Sequence, residues 1–496
     1  MTIMKTIAAA ILVLGAANGC ATAPTSAAIE ATLMIDTRLD AVKSEISNLV
    51  AKGTLASAAI GVIVDGQVVW AETFGEADKE RGDAATINTP YGVASMGKAL
   101  TATAIMTLVQ AGKLDLDADV ADILGGNAVK IYAGTRAPTV RELLNMTSGV
   151  PHGALTYVVD PPLDEDEILD DQSMVVFPAG STFHYSNFSM AIAERIIEKV
   201  SGKTYDAYMR DAIFTPLGMR DARIGQNAAV AVRYKDNGDR YGTLTPYPRS
   251  SRQISASLAD LLRFAMFQMQ TPAAGRQEIL RPGLLATMQN EHAKIAGAHL
   301  ALGIGNFDLG GGRRWLINSG NDMGVQSSMT LLPEDGVGVV FLTNSSGYQA
   351  DEIGLKAADA IIPGFLAQAV GVISEFEGRT TEFHPDAAWR GAWRGAVSGA
   401  RGDISIELAI DAAGRVTIGY DGGPATAATD VSIRDGMLSG VFEGVLALEE
   451  APDGPHRIEF SVIRDQDLLT GFALANFRST RGKFEMPTPL QLRRRN

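Results

Sequence analysis

Three short segments of this 496-residue sequence carry side chains that could cooperate in acyl transfer. The first is Ser95-Met96-Gly97-Lys98. A hydroxyl is a poor nucleophile until its proton is removed during attack. If a helix starts here, Lys98 lies one turn from Ser95 on the same side and favours the charge that develops on the oxygen. The second segment is Tyr185-Ser186-Asn187, which follows a Pro178-Ala179-Gly180 turn. An ammonium stabilises a phenolate, so a tyrosine beside Lys98 could take and return the serine proton. Asn187 offers both a donor and an acceptor to a substrate amide. The third is Asn318-Ser319-Gly320-Asn321. A glycine at a strand edge lets backbone approach a ligand, and the Asn321 N–H could join that of Ser95 in holding an oxyanion. Each segment alone has a plainer reading: an N-cap serine with a surface lysine, a core tyrosine beside a turn asparagine, and a loop.

The elements that would position these groups can be read from hydropathy. Leu100, Ala104, Ile105 and Leu108 share one face of a helix that Gly112 ends, which puts Ser95 at or near its N-terminus. Ile35, Leu39, Val42, Ile46 and Leu49 mark an earlier helix stopped near Gly53. Ala58–Val64 and Gln67–Trp70 flank Asp65-Gly66, a hairpin signal. A second strand pair, Ser327–Leu332 and Val337–Thr343, follows the third segment. Strands at both ends with helices between predict one α/β unit whose ends meet in a sheet, with a helical insert. After about residue 380, short alternating segments separated by Asp, Gly and Pro turns predict a small β-barrel or sandwich. No catalytic cluster stands out in that region, and Arg493-Arg494-Arg495 reads as a solvated tail.

Taken in order, the three segments resemble the serine β-lactamase and penicillin-binding-protein superfamily, above all its class C β-lactamase-like group. Flanking stretches match too: Leu143–Val150, Pro216–Met219, Ser257–Phe264 and Gly324–Pro333. The resemblance covers residues 30–345 and implies an α/β fold. That fold is a β-lactamase/transpeptidase-like antiparallel sheet flanked by helices, with a helical subdomain. The C-terminal region resembles the lipocalin-like barrel of some members. The expected organisation is a signal or lipoprotein segment at 1–20, a hydrolase domain at 30–370 and a β domain at 380–490. By the resemblance, Ser95 is the nucleophile, Lys98 its activating partner and Tyr185 the proton shuttle. Asn187 orients substrate and Lys98, the Ser95 and Asn321 N–H groups form the oxyanion hole, and Asn318, Ser319 and Gly320 bind substrate. No cofactor or metal is implied. The six histidines (152, 184, 292, 299, 384 and 456) show no metal-ligand spacing, and His184 beside Tyr185 reads as a packing residue. One position departs from the family pattern. Where it has Lys or His, this chain has Asn318, which donates hydrogen bonds but supplies no charge. β-Lactams and D-Ala-D-Ala present a carboxylate there, so esters and uncharged amides are the better expectation.

Composition limits the alternatives. With 57 acidic and 43 basic residues, the net charge of −14 argues against a nucleic-acid binder. A single cysteine, Cys20, excludes an intramolecular disulfide framework. Lys5 and the apolar Ile7–Ala17 resemble a secretory signal, and Ala17-Asn18-Gly19-Cys20 resembles a lipobox that would lipidate Cys20. Simple cleavage after Ala21-Thr22-Ala23 is the other reading. The chain is therefore expected in the periplasm or outer envelope, acting on a small-molecule ester, amide or peptide. The competing function is a non-catalytic ligand or cell-wall sensor. Selectivity would reside in Pro151–Gln172 and Arg233–Arg252, the former carrying the acidic run 164–167.

Overall fold

The computed structural model describes residues 26–495 apart from 127–128, 133–135, 153, 157–168, 170–172, 226–229, 243–247, 271–277, 291–300, 379, 400–401, 421–423, 446–453 and 480–481. The signal segment with Cys20, the acidic run at 164–167, His292 and His299 therefore lie outside the described residues. No described helix is long and apolar enough to cross a membrane.

A seven-stranded sheet forms the centre of the N-terminal part. Its spatial order is Gly305–Gly310, Arg313–Asp322, Val325–Leu332, Val337–Thr343, Ser57–Val64, Gln67–Asp78 and Asp83–Ala84. The hairpin at Asp65-Gly66 forms as expected, both residues having the positive φ (48° and 75°) that a two-residue connection demands. The two ends of the α/β part meet where Gly61 pairs with Val340, so Ser57–Val64 is a central strand. It reads as a continuous apolar run because helices cover both of its faces. Ile60 and Val62 pack with Leu39, Val42 and Ile46 of the helix Ser26–Ala51 and with Ile353 of Ala350–Ile361. Ala59 and Ile63 face the other way, into a core shared with Leu261 and Phe264 of the helix Leu258–Gln268. Gly61 itself lies so close to Leu262 that a Cβ there would meet its methyls at 2.9 Å.

The C-terminal part is a curled half-barrel of antiparallel strands, from Thr380–Glu382 to Gly482–Arg494 in sequence. The alternating segments expected after residue 380 form these strands, but the terminal arginines are not all a solvated tail. Arg493 and Arg494 are instead paired strand residues, opposite Arg394 and Trp393. Arg494 donates to the Arg390 carbonyl at 2.6 Å and its guanidinium lies 5.4 Å from the Trp393 ring centre.

The half-barrel is joined to the α/β part in two ways. Ala154–Thr156 pairs antiparallel with Lys483–Glu485, adding a strand from one part to the sheet of the other. Beside it, Met174, Val176 and Phe177 pack with Phe472 and Leu474. His184 stands between Phe177 and Phe472, with ring centres 5.5 and 5.1 Å away, and burial pushes its pKa down to about 3. It is a neutral packing ring, as its sequence context suggested.

Candidate active site

Ser95 lies in a single 3-10 turn, Ala94–Met96, that runs directly into the helix Gly97–Gln110. Two close approaches seat this turn. A Cβ on Gly97 would come within 2.4 Å of the Ser250 carbonyl oxygen, and one on Gly320 within 2.1 Å of that of Val93. Ser327 Oγ also donates to the Val93 carbonyl at 2.7 Å. Ala94, next to the nucleophile, has φ of 45°, a left-handed conformation that costs a non-glycine residue about 1–2 kcal/mol.

Two side chains converge on the serine hydroxyl. Lys98 Nζ donates to Ser95 Oγ at 2.9 Å, and Tyr185 OH donates to the same oxygen at 2.7 Å. The ammonium lies 4.6 Å from the Tyr185 ring centre. Lys98 is buried, and desolvation holds its pKa below the usual lysine range. Tyr185 and Asp322 oppose that shift, while Arg252 adds to it. A lysine depressed in this way can be neutral and accept the serine proton.

Tyr185 is positioned from the helix that follows it. Ser186 caps Asn187–Ser201, its hydroxyl accepting the Ser189 N–H and donating to the Pro151 carbonyl at 2.8 Å. That capping bond places Asn187 in the first turn. Its Oδ1 is buried with no hydrogen-bond partner, and no bond joins it to Lys98 among the described residues. The expected orienting contact with Lys98 is thus absent, while the acceptor meant for a substrate amide is unpartnered.

The third segment is not a loop but part of the strand Arg313–Asp322, with Asn318, Ser319, Gly320 and Asn321 paired to Met329, Ser328, Ser327 and Gln326. Asn318 Nδ2 donates back to the Met96 carbonyl at 3.3 Å. Ser319 Oγ donates to Asp351 Oδ1 at 2.6 Å.

A polar cavity of about 580 Å³ opens in front of Ser95, lined by Tyr185, Asn187, Ser319, Gly320 and Asn321. Further charged groups line it that no sequence motif announced. Arg252 Nη2 donates to Asp322 Oδ1 at 2.7 Å, and behind them, outside the lining, Arg233 lies 3.5 Å from the other oxygen of the same carboxylate. The turn bearing Arg252 is held by Glu194, which accepts the Ser250 N–H and pairs with Arg249 at 3.1 Å. His152 Nδ1 donates to the Tyr185 carbonyl at 3.2 Å, since a carbonyl can only accept. Burial lowers the His152 pKa, and Glu485 of the half-barrel opposes this. Asp351 and Glu485 complete the acidic lining. Of these groups, His152, Arg233 and Arg252 fall within the two loops expected to carry selectivity, while Asp322 directly follows the third segment.

No group of His, Cys, Asp and Glu among the described residues could hold a metal ion. What the arrangement offers is a hydroxyl with two proton-handling partners, beside backbone and amide groups that could receive a carbonyl substrate.

Known proteins share this arrangement of chain. Penicillin-binding protein 4 of Amycolatopsis lactamdurans is 28% identical over 337 residues, which is 62% of this chain and 84% of that protein. The crystal structure of SurE aligns over 91% of this chain and all of its own (100%) with a TM-score of 0.60 at 19% identity, a likeness of fold that includes the C-terminal part. A class C β-lactamase from Rhodobacter sphaeroides aligns over 66% of this chain and 99% of its own, with a TM-score of 0.55 at 20% identity. The model of the Beta-lactamase family matches residues 42–362, the span that holds all three segments around Ser95, and the chain belongs to that family of serine hydrolases.

Proposed function

We propose that the protein hydrolyses an ester or amide through an acyl-enzyme on Ser95. The observation that carries this is the convergence of Lys98 and Tyr185 on one serine oxygen, at 2.9 and 2.7 Å. Ser95 Oγ attacks the carbonyl carbon while its proton passes to neutral Lys98 and on through Tyr185. The carbonyl oxygen becomes an oxyanion facing the N–H groups of Ser95 and Asn321. The bond to the leaving group breaks, and Tyr185 returns the proton to it. Water then attacks the acyl carbon by the same route in reverse, freeing the acid and restoring Ser95. Asn187 Oδ1, buried and unpartnered, is suited to an N–H on the acyl side. Asn318 is turned to the Met96 carbonyl and carries no charge, which disfavours substrates with a carboxylate next to the scissile bond.

The test is labelling by a fluorophosphonate, followed by turnover of p-nitrophenyl esters, nitrocefin and D-amino acid amides. Labelling of Ser95 that disappears in Ser95→Ala is expected, with esters or amides turned over faster than nitrocefin. Folded protein that resists labelling and turns over nothing would favour the sensor reading. The Lys5, Ile7–Ala17 and Cys20 pattern supports an envelope location with a lipid on Cys20. Metabolic labelling with palmitate, lost in Cys20→Ala, checks it.

A further inference from the structure

Ser95 has a second cavity, distinct from the polar one. Its volume is about 360 Å³, within the range of small-molecule sites, and Ser95, Lys98 and Tyr185 line it too. Its walls are apolar: Leu144, Met146, Phe183, Phe307, Ile317 and Phe376. Asn318 lines this cavity and not the polar one. The short side chain, turned back to Met96, leaves open the space that a long cation at this position would fill. Two residues from late in the chain complete the lining. Phe376 belongs to the helix Phe365–Glu377, and Arg434 ends the half-barrel strand Thr429–Arg434. The Arg434 guanidinium lies 4.2 Å from the Phe376 ring centre, and its Nη2 donates to the Phe376 carbonyl at 3.3 Å. Asp435 approaches its Nε only to 4.0 Å. Stacking and the carbonyl bond hold the cation at the rim of an otherwise apolar cavity.

Resting on the acyl-enzyme reading above, the two cavities divide the substrate. Asn187 and Asn321, suited to the acyl amide and the oxyanion, line only the polar cavity. Lys98 lines only the apolar one, which it shares with Tyr185, the group that returns a proton to the leaving group. We propose that the apolar cavity receives the leaving group, and that Arg434 selects leaving groups with an apolar body ending in a distal carboxylate. Such a carboxylate is remote from the scissile bond, so the neutrality of Asn318 does not penalise it. The half-barrel is thereby a specificity element of the active site.

The test compares two acetyl esters with the same acyl group: that of p-hydroxyphenylpropanoate and that of its carboxamide. In each, Ser95 Oγ bonds to the acetyl carbon, the aryl C–O bond breaks, the phenol oxygen takes the proton, and water later releases acetate. Acetyl-Ser95 is therefore common to both. The wild-type enzyme should prefer the carboxylate by about tenfold in kcat/KM, as for one charge-assisted hydrogen bond. Arg434→Gln should bring the ratio to about one, and Arg434→Lys should retain part of it. The ratio is internal to each variant, so partial loss of folded protein cancels. Ile317→Phe, which fills the cavity, should lower kcat/KM for both aryl esters relative to ethyl acetate. Acetyl-Ser95 formation with a wild-type ratio near one, or a ratio unchanged in Arg434→Gln, overturns the inference alone. Absence of any Ser95 adduct overturns the acyl-enzyme reading as well.

Discussion

Gly320 is the most exacting test of how the site is assembled. It sits where the third-segment strand crosses the turn that carries the nucleophile. An added Cβ would lie 2.1 Å from the Val93 carbonyl oxygen, 2.5 Å from Ser327 Oγ and 3.0 Å from the Ala94 Cβ. A tolerable contact is at least 3.0 Å, so the strand and turn must separate by about 0.9 Å (3.0 less 2.1). The obstructing atom is backbone and cannot rotate away. Ser327 would also lose its bond to the same carbonyl. Displacements near 1 Å at reacting groups cost about a hundredfold in rate. Overpacking costs about 1–3 kcal/mol of stability. Gly320→Ala is therefore expected to remain largely folded while kcat/KM for a p-nitrophenyl ester falls about a hundredfold. The rate of fluorophosphonate labelling of Ser95 should fall in parallel. Gly371→Ala is the matched control, being an exposed helical glycine with nothing within 4 Å of its Cβ position. It should keep activity and gain about 0.5–1 kcal/mol. Circular dichroism melts separate folding from activity. A folded Gly320→Ala enzyme working within about threefold of wild type would refute the idea that this crossing sets the position of Ser95.

Other outcomes follow from the proton-handling groups. Tyr185→Phe should lower kcat by about a hundred- to ten-thousand-fold with labelling slowed in step, as measured by stopped-flow acylation. The acid limb of kcat/KM should report a pKa below the ordinary 10.5 of lysine, since activity requires neutral Lys98 and burial favours that form. For stability, unfolded Lys98 stays protonated up to its ordinary pKa while the folded residue does not, so wild-type stability rises with pH between the lowered pKa and 10.5. Lys98→Met should thus be inactive yet more stable at neutral pH by about 1–3 kcal/mol, a gap that urea melts should show closing as the pH is raised. His184 has a folded pKa of about 3 against an unfolded 6.5, so the unfolded chain gains a proton first as pH falls and stability drops below pH 6.5. His184→Phe should remove that term, worth about 1.4 kcal/mol per pH unit, when urea melts are compared between neutral pH and mild acid.

Residues that act through local spacing were readable in advance. Ser95 and Lys98 are one turn apart, and Tyr185 and Asn187 are fixed together by the cap at Ser186, so each pair is set by neighbours in the chain. The Arg252–Asp322 pair joins positions 70 residues apart, and Ser319 meets Asp351 across 32. Neither pairing has a periodicity or a spacing, since it exists only once strand register is fixed. Glu485 and Arg434 are more remote, because they approach Ser95 from a separate half-barrel. The last strand was hidden for another reason. Met486-Pro487-Thr488-Pro489 holds two prolines, which strand patterning disfavours, yet all four residues pair with Leu468–Ser479. Pairing on the other edge stops at Glu485 and resumes at Leu490, so the missing proline N–H groups fall where that edge has no paired strand among the described residues.

Asn318 shows how one substitution can exchange a ligand contact for a fastening. A cation here would need to reach toward substrate, and it would stand beside buried Lys98, where Arg252 already depresses the lysine pKa. Adding a like charge would push Lys98 further down and would itself need a partner out of water. Asn318 avoids both costs and donates to the Met96 carbonyl, one residue past the nucleophile. Gly320, two residues along the same strand, packs against Val93, two residues before the nucleophile. The strand therefore holds the Ser95 turn on both sides, by a hydrogen bond at one end and a side-chain-free contact at the other. Positive charge lining the polar cavity is left to Arg252, which is matched by Asp322. On the proposed mechanism, the positioning of Ser95 and the recognition of charge thus fall to different residues, so acyl-enzyme formation does not depend on a third-segment cation.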